Sequence, residues 1–88
     1  MWIFLNDRFV PEQDAKISVF DHGFLYGDGV YETIRSYGSR IFMRDHHLSR
    51  LQRSADAIGL ALPIPLSEWP RLLHEAMDRN QLGNEQTD

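Results

Sequence analysis

A chain of 88 residues, 42% hydrophobic and 25% charged, has room for one small domain of marginal stability and shows no low-complexity run. Its formal net charge of −4 opposes a nucleic-acid surface, which gathers a basic excess on one face, and opposes an anionic membrane for the same reason. With no cysteine, disulfides, thiol nucleophiles and thiolate metal sites are excluded together, and a reducing, cytoplasmic setting is the expectation.

The apolar start, Met1 to Leu5, is broken at once by Asn6, Asp7 and Arg8, too soon for a signal-peptide core or a membrane span. Trp2 to Leu5 and Arg8 to Val10 read as two short strands. Asn6-Asp7 between them suits a tight hairpin turn, and Pro11 closes the second run. Lys16 to Phe20 is expected to be a third strand or extended segment, while Asp21 to Tyr26 has no clear period. Gly27-Asp28-Gly29 then leads into an alternating segment. In it Val30, Glu32, Ile34 and Ser36 fall on one face and Tyr31, Thr33, Arg35 and Tyr37 on the other.

Gly38-Ser39 turns the chain, and Arg40 to Met43 returns as a partner, which together predict a β-meander. Asp45 is the expected N-cap of a helix to about Ile58, with Leu48, Leu51, Ala55 and Ile58 as its apolar stripe and Gly59 as its stop. A proline-marked connector, Leu60 to Leu66, follows. Ser67 is expected to cap a second helix that tolerates Pro70 in its first turn and buries Trp69, Leu72, Leu73, Ala76 and Met77. Asn80 and Gly83 mark its exit. The fold class is therefore α+β, an antiparallel meander with two helices packed on it. Residues 1–82 are the expected domain, and 83–88 a polar tail leading into a longer protein.

Gly27 and Gly29 allow a sharp entry into the strand or a close approach by a ligand; because they open a strand rather than a helix, a phosphate loop fits them poorly. Tyr31, Thr33 and Arg35 suit either a ligand wall or a solvated sheet face, and the strand pattern leaves both open. His47, Arg50 and Ser54 form a polar ridge on the first helix, with Arg50 the candidate anion ligand through its planar fork of donors.

Asp45-His46-His47 and Asp21-His22 do not read as metal sites, because adjacent helical residues diverge and shared faces need spacings of three or four. Lys16, the lone lysine, lies where exposure rather than a desolvated pocket is expected. No catalytic group and no metal ligand is thus assigned within the chain.

The run FDHGFLYGDGVYETIRSYGSRIFMRDHHLSRLQRSADAIGL resembles the N-terminal region of the class IV, fold-type IV pyridoxal-phosphate enzymes, which include branched-chain and D-amino-acid aminotransferases and aminodeoxychorismate lyase. The resemblance extends from Trp2 to Leu82. It rests on Asp21-x-Gly23 followed by Gly27-Asp28-Gly29, on Tyr31-Glu32, and on His47-x-x-Arg50-Leu51, in order and at family spacing.

The resemblance implies an incomplete small N-terminal domain of a homodimeric aminotransferase that uses pyridoxal 5'-phosphate to exchange an amino group between an amino acid, branched-chain L- or D-, and a 2-oxo acid. Arg50 matches the arginine that binds the cofactor phosphate. Tyr31 matches an aromatic of the substrate pocket, Thr33 and Arg35 continue along that wall, and Tyr26 matches a tyrosine near the substrate. Glu32 is similar to the aminotransferases rather than to the lyase, which usually carries threonine there. The Schiff-base lysine belongs to the family's larger second domain and Lys16 does not match it, so this stretch alone is expected to be inactive. The alternatives are 4-amino-4-deoxychorismate lyase on the same fold and a non-catalytic binding or assembly module.

Overall fold

Asn6 takes a left-handed conformation with φ of 63°, so the chain reverses within two residues and zips β1 (Trp2–Leu5) onto β2 (Arg8–Pro11). The antiparallel register runs from Trp2 opposite Pro11 to Leu5 opposite Arg8, and Phe4 meets Phe9 edge-on at 5.0 Å. The computed structural model describes residues 1–82. The expected tail at 83–88, and Gly83 as a helix exit, lie outside them.

Lys16 to Phe20 forms no strand. Ser18 diverts the backbone instead: its hydroxyl accepts from the Phe20 N–H at 3.0 Å and its carbonyl from the Asp21 N–H at 3.0 Å. The aperiodic stretch after it folds as a short helix, α1 (His22–Tyr26), capped by the Asp21 carboxylate, which accepts from the Phe24 N–H at 3.2 Å.

From Val30 to Tyr37 the expected alternation holds in burial, with the even-numbered residues half-buried and the odd-numbered ones exposed. The expected eight-residue strand does not form as a ladder. Only β3 (Ser36–Tyr37) pairs, with β4 (Arg40–Ile41), extended by a Phe42 N–H to Arg35 carbonyl bond of 2.8 Å. Among the described residues, 30–34 meet no partner strand. The sheet is therefore two separate hairpins, β1-β2 and β3-β4, rather than one meander. The α+β class stands.

The first long helix is α2 (Arg44–Ala57). It begins one residue before Asp45, at a left-handed Met43 with φ of 51°, so Asp45 falls inside the first turn and bonds Arg44 Nε at 3.1 Å instead of capping. Its charge still suits the positive end of the helix. At the other end Gly59, with φ of 71°, closes a Schellman motif: the Leu60 N–H reaches the Ala55 carbonyl at 2.8 Å and the Gly59 N–H the Asp56 carbonyl at 3.1 Å.

Helix α3 (Trp69–Arg79) is entered through a 3₁₀ turn, Leu66–Glu68, that absorbs Ser67. The expected serine cap is therefore absent, and Pro70 lies in the first turn as its missing N–H allows. The Trp69 indole N–H donates to the Ile64 carbonyl at 3.3 Å.

Leu48 and Ala55 of α2 and Leu72 and Met77 of α3 are the buried core. Asn80 ties the first hairpin to the end of α3. Its Oδ1 accepts from the Trp2 N–H at 2.7 Å, while Nδ2 donates to the carbonyls of Trp2 at 2.9 Å and Ala76 at 2.8 Å. Arg79 lies over the rings of Phe9 at 4.5 Å and Trp2 at 5.4 Å.

Candidate functional site

Two neighbouring segments converge on one carboxylate. The extended chain at 30–35 turns Glu32 toward α2 on the face shared with Val30 and Ile34, and the i, i+3 spacing of α2 puts His47 and Arg50 side by side. Arg50 Nε donates to Glu32 Oε2 at 2.8 Å and Nη2 to Oε1 at 2.7 Å. His47 Nδ1 lies 2.6 Å from the same Oε1. A carboxylate only accepts, so this ring nitrogen carries the proton.

Glu32 keeps 9% of its side chain exposed, His47 15% and Arg50 50%. The hydrogen bonds from Arg50, and secondarily from His47, hold the Glu32 carboxyl down from its ordinary 4.5 to about 2, against an opposing effect of burial. The same bond raises the Arg50 pKa.

Arg50 has five N–H donors, and Glu32 takes the side edge formed by Nε and Nη2. The end edge, formed by Nη1 and the second hydrogen of Nη2, donates to no oxygen among the described residues and belongs to a half-exposed side chain; Nη2 also lies 3.4 Å from His47 Nδ1, which carries its own proton and so does not accept. Two parallel donors on an ordered guanidinium match a phosphate. Arg50 thus fits the group that the resemblance implies, by its end edge.

The four expected pocket residues are not bonded to Arg50. Tyr31 is 86% exposed, and Thr33 and Arg35 share its open face, opposite the one that carries Glu32. Arg35 Nη1 lies 3.5 Å from the Tyr37 hydroxyl and borders a groove of about 180 Å³ with Ile34, Ser36, Ile41 and Met77. Tyr26 ends α1 with its ring 4.7 Å from that of His22. Lys16 is exposed, as expected.

The glycine-aspartate-glycine junction folds on itself. Gly27 takes φ of 72° to end α1, whereas Gly29 needs no left-handed backbone, and a Cβ there would meet open space. The close approach lies instead at Gly23, where a Cβ would come within 3.0 Å of the Asp28 carbonyl oxygen, and His22 Nδ1 lies 3.0 Å from Asp28 Oδ2. The expectation that both Gly27 and Gly29 shape the bend is thus met by Gly27 alone.

Glu32 and His47 belong to the motifs of the chain, but their contact with each other and with Arg50 is not among the expectations from sequence. The signal was present: a carboxylate on the inward side of a strand, between Val30 and Ile34, requires a donor on whatever packs against it.

The family model described as amino-transferase class IV matches residues 29–87. A putative branched-chain-amino-acid aminotransferase of Methanocaldococcus jannaschii is 46% identical over 82 residues, covering 93% of this chain and 28% of that protein. D-alanine aminotransferases of Staphylococcus epidermidis and Staphylococcus aureus are 40% identical over 82 residues and 42% over 80, covering 93% and 91% of this chain. The chain spans 29% and 28% of the length of those two proteins. With the family model covering well over half of its length, the chain belongs to the class IV aminotransferases.

Proposed function

We propose that this chain is the small N-terminal domain of a longer pyridoxal-phosphate-dependent aminotransferase, in which Arg50 holds the cofactor phosphate. The observation that carries the reading is the half-exposed guanidinium of Arg50, fixed on one edge by Glu32 and open on the other. When bound, the cofactor supplies the electron sink for amino-group exchange.

This chain's own residues bind and orient. Arg50 takes phosphate oxygens, and the exposed face of Tyr31, Thr33 and Arg35, with Tyr26, forms a wall toward the amino acid and the 2-oxo acid. A reactive lysine has to come from the remainder of the enzyme, since Lys16 lies exposed on an irregular segment. The complete enzyme is read as a homodimer, and the 88 residues alone as inactive.

The complete enzyme, offered D-alanine or branched-chain amino acids with a 2-oxo acid, should exchange amino groups. Pyruvate release from aminodeoxychorismate without such exchange would overturn the reaction assigned. Arg50→Ala should raise the dissociation constant for pyridoxal phosphate by roughly tenfold or more, since a charge-assisted contact is worth about 1.5–3 kcal/mol. Unchanged affinity would remove Arg50 from the phosphate site.

A further inference from the structure

We infer that Glu32 is a positioning residue for anion binding: it grips the side edge of Arg50, so that a phosphate is met by the end edge of the guanidinium alone. The inference rests on the phosphate role proposed for Arg50 and adds the group that aims it.

A free arginine side chain on a helix surface samples many rotamers, and each must be given up when an anion docks. Here that ordering is already done. The Nε and Nη2 bonds at 2.8 and 2.7 Å fix the guanidinium plane relative to the 30–35 segment, and His47, three residues earlier on α2, holds the same Glu32 oxygen at 2.6 Å. Glu32 thus joins the helix to the extended segment through three bonds from α2 and remains ionised, because its pKa is held far below neutrality.

One effect works in the opposite direction, since a carboxylate repels a phosphate. Glu32 and an anion on the end edge would lie on different edges of the guanidinium, with its positive charge between them, and solvent with salt screens what remains. Loss of orientation is therefore expected to outweigh relief of repulsion.

The test is direct binding to the complete enzyme, without turnover. Pyridoxal phosphate and pyridoxal, which lacks the phosphate, are titrated against wild type, Glu32→Ala, Arg50→Ala and the double variant. Glu32→Ala should weaken pyridoxal phosphate on the order of tenfold, the usual scale for losing a partner that orients a ligand group, and leave pyridoxal unchanged. In the Arg50→Ala background it should add nothing.

Unchanged or tighter pyridoxal phosphate binding by Glu32→Ala, or equal losses for both ligands, would overturn the inference. If Arg50→Ala itself spares the preference for the phosphorylated ligand, the phosphate reading fails as well. If Arg50→Ala removes that preference and Glu32→Ala does not, only the positioning role fails. A measurement on the unsubstituted enzyme, labelled with ¹⁵N-arginine, is independent of whether the variants fold. On adding pyridoxal phosphate the Arg50 Nη signals should shift while its Nε–H stays bonded to Glu32, and release of that bond would overturn the inference.

Discussion

The first hairpin and α3 hold one another through specific partners and, with α2, make up the region of the buried side chains, whereas residues 15–35 are held mainly by their own neighbours. In the first region Leu48, Ala55, Leu72 and Met77 are buried, and Asn80 and Arg79 bind the hairpin from the end of α3. In the second, Ser18 and Asp21 close local turns, while Ile17, Val19, Phe20, Phe24, Leu25, Tyr26 and Tyr31 remain exposed. Its link to α2 through side chains is the Glu32 cluster. Packing therefore organises one region and polar capping the other, so the two should answer differently to the same kind of substitution.

Truncating one apolar side chain in each region should separate them most. Leu72→Ala, in the core, should cost about 2–5 kcal/mol, whereas Phe20→Ala, at 81% exposure, should stay within about 0.5 kcal/mol. Denaturant unfolding of the two variants measures both, and equal losses would mean that the exposed segment is packed in solution. Asn80→Ala comes next, at roughly 1–3 kcal/mol, because it unpairs the Trp2 backbone as well as the last turn of α3.

Gly27→Ala should cost about 1–2 kcal/mol by forcing a side chain into left-handed backbone, and Gly29→Ala should be nearly neutral. Paired melting curves decide between them. The smallest effect is the pH dependence of the Glu32 cluster. A carboxyl lowered from 4.5 to about 2 contributes stability that is complete above pH 4.5 and is lost as pH falls through 2. His47 and Arg50 are the charged or titratable groups hydrogen-bonded to it. Melting midpoints of wild type should fall more steeply over that window than those of Glu32→Gln; parallel curves would contradict the pair.

What the sequence made legible follows the same division. The Asn6-Asp7 turn, the stop at Gly59, the face of α3 and the stripe of Leu48, Leu51 and Ala55 are legible because periodicity and turn chemistry are local, whereas Ile58, expected in that stripe, falls at the C-cap of α2 and is exposed. The alternation from Val30 to Tyr37 was also readable, but its ladder was not, since a strand needs a partner that no local pattern supplies. Asp45 and Ser67 missed their cap positions because helix starts shift by a residue or a 3₁₀ turn.

At the candidate site Arg50 could be named from its place on the helix face, whereas its engagement by Glu32 depends on a contact across 18 residues. Tyr26, Tyr31, Thr33 and Arg35 were named as a group, and the described residues do not bond them to Arg50.

The Asn80 clamp has a consequence for the order of events during synthesis. Trp2 and Asn80 are separated by 78 positions, and the chain emerges N-terminus first. An isolated two-stranded hairpin is marginal in water, so residues 2–11 leave the ribosome without the partner that fixes them. The first hairpin is therefore secured only after Asn80 has emerged, and its docking reports that α3 has been completed.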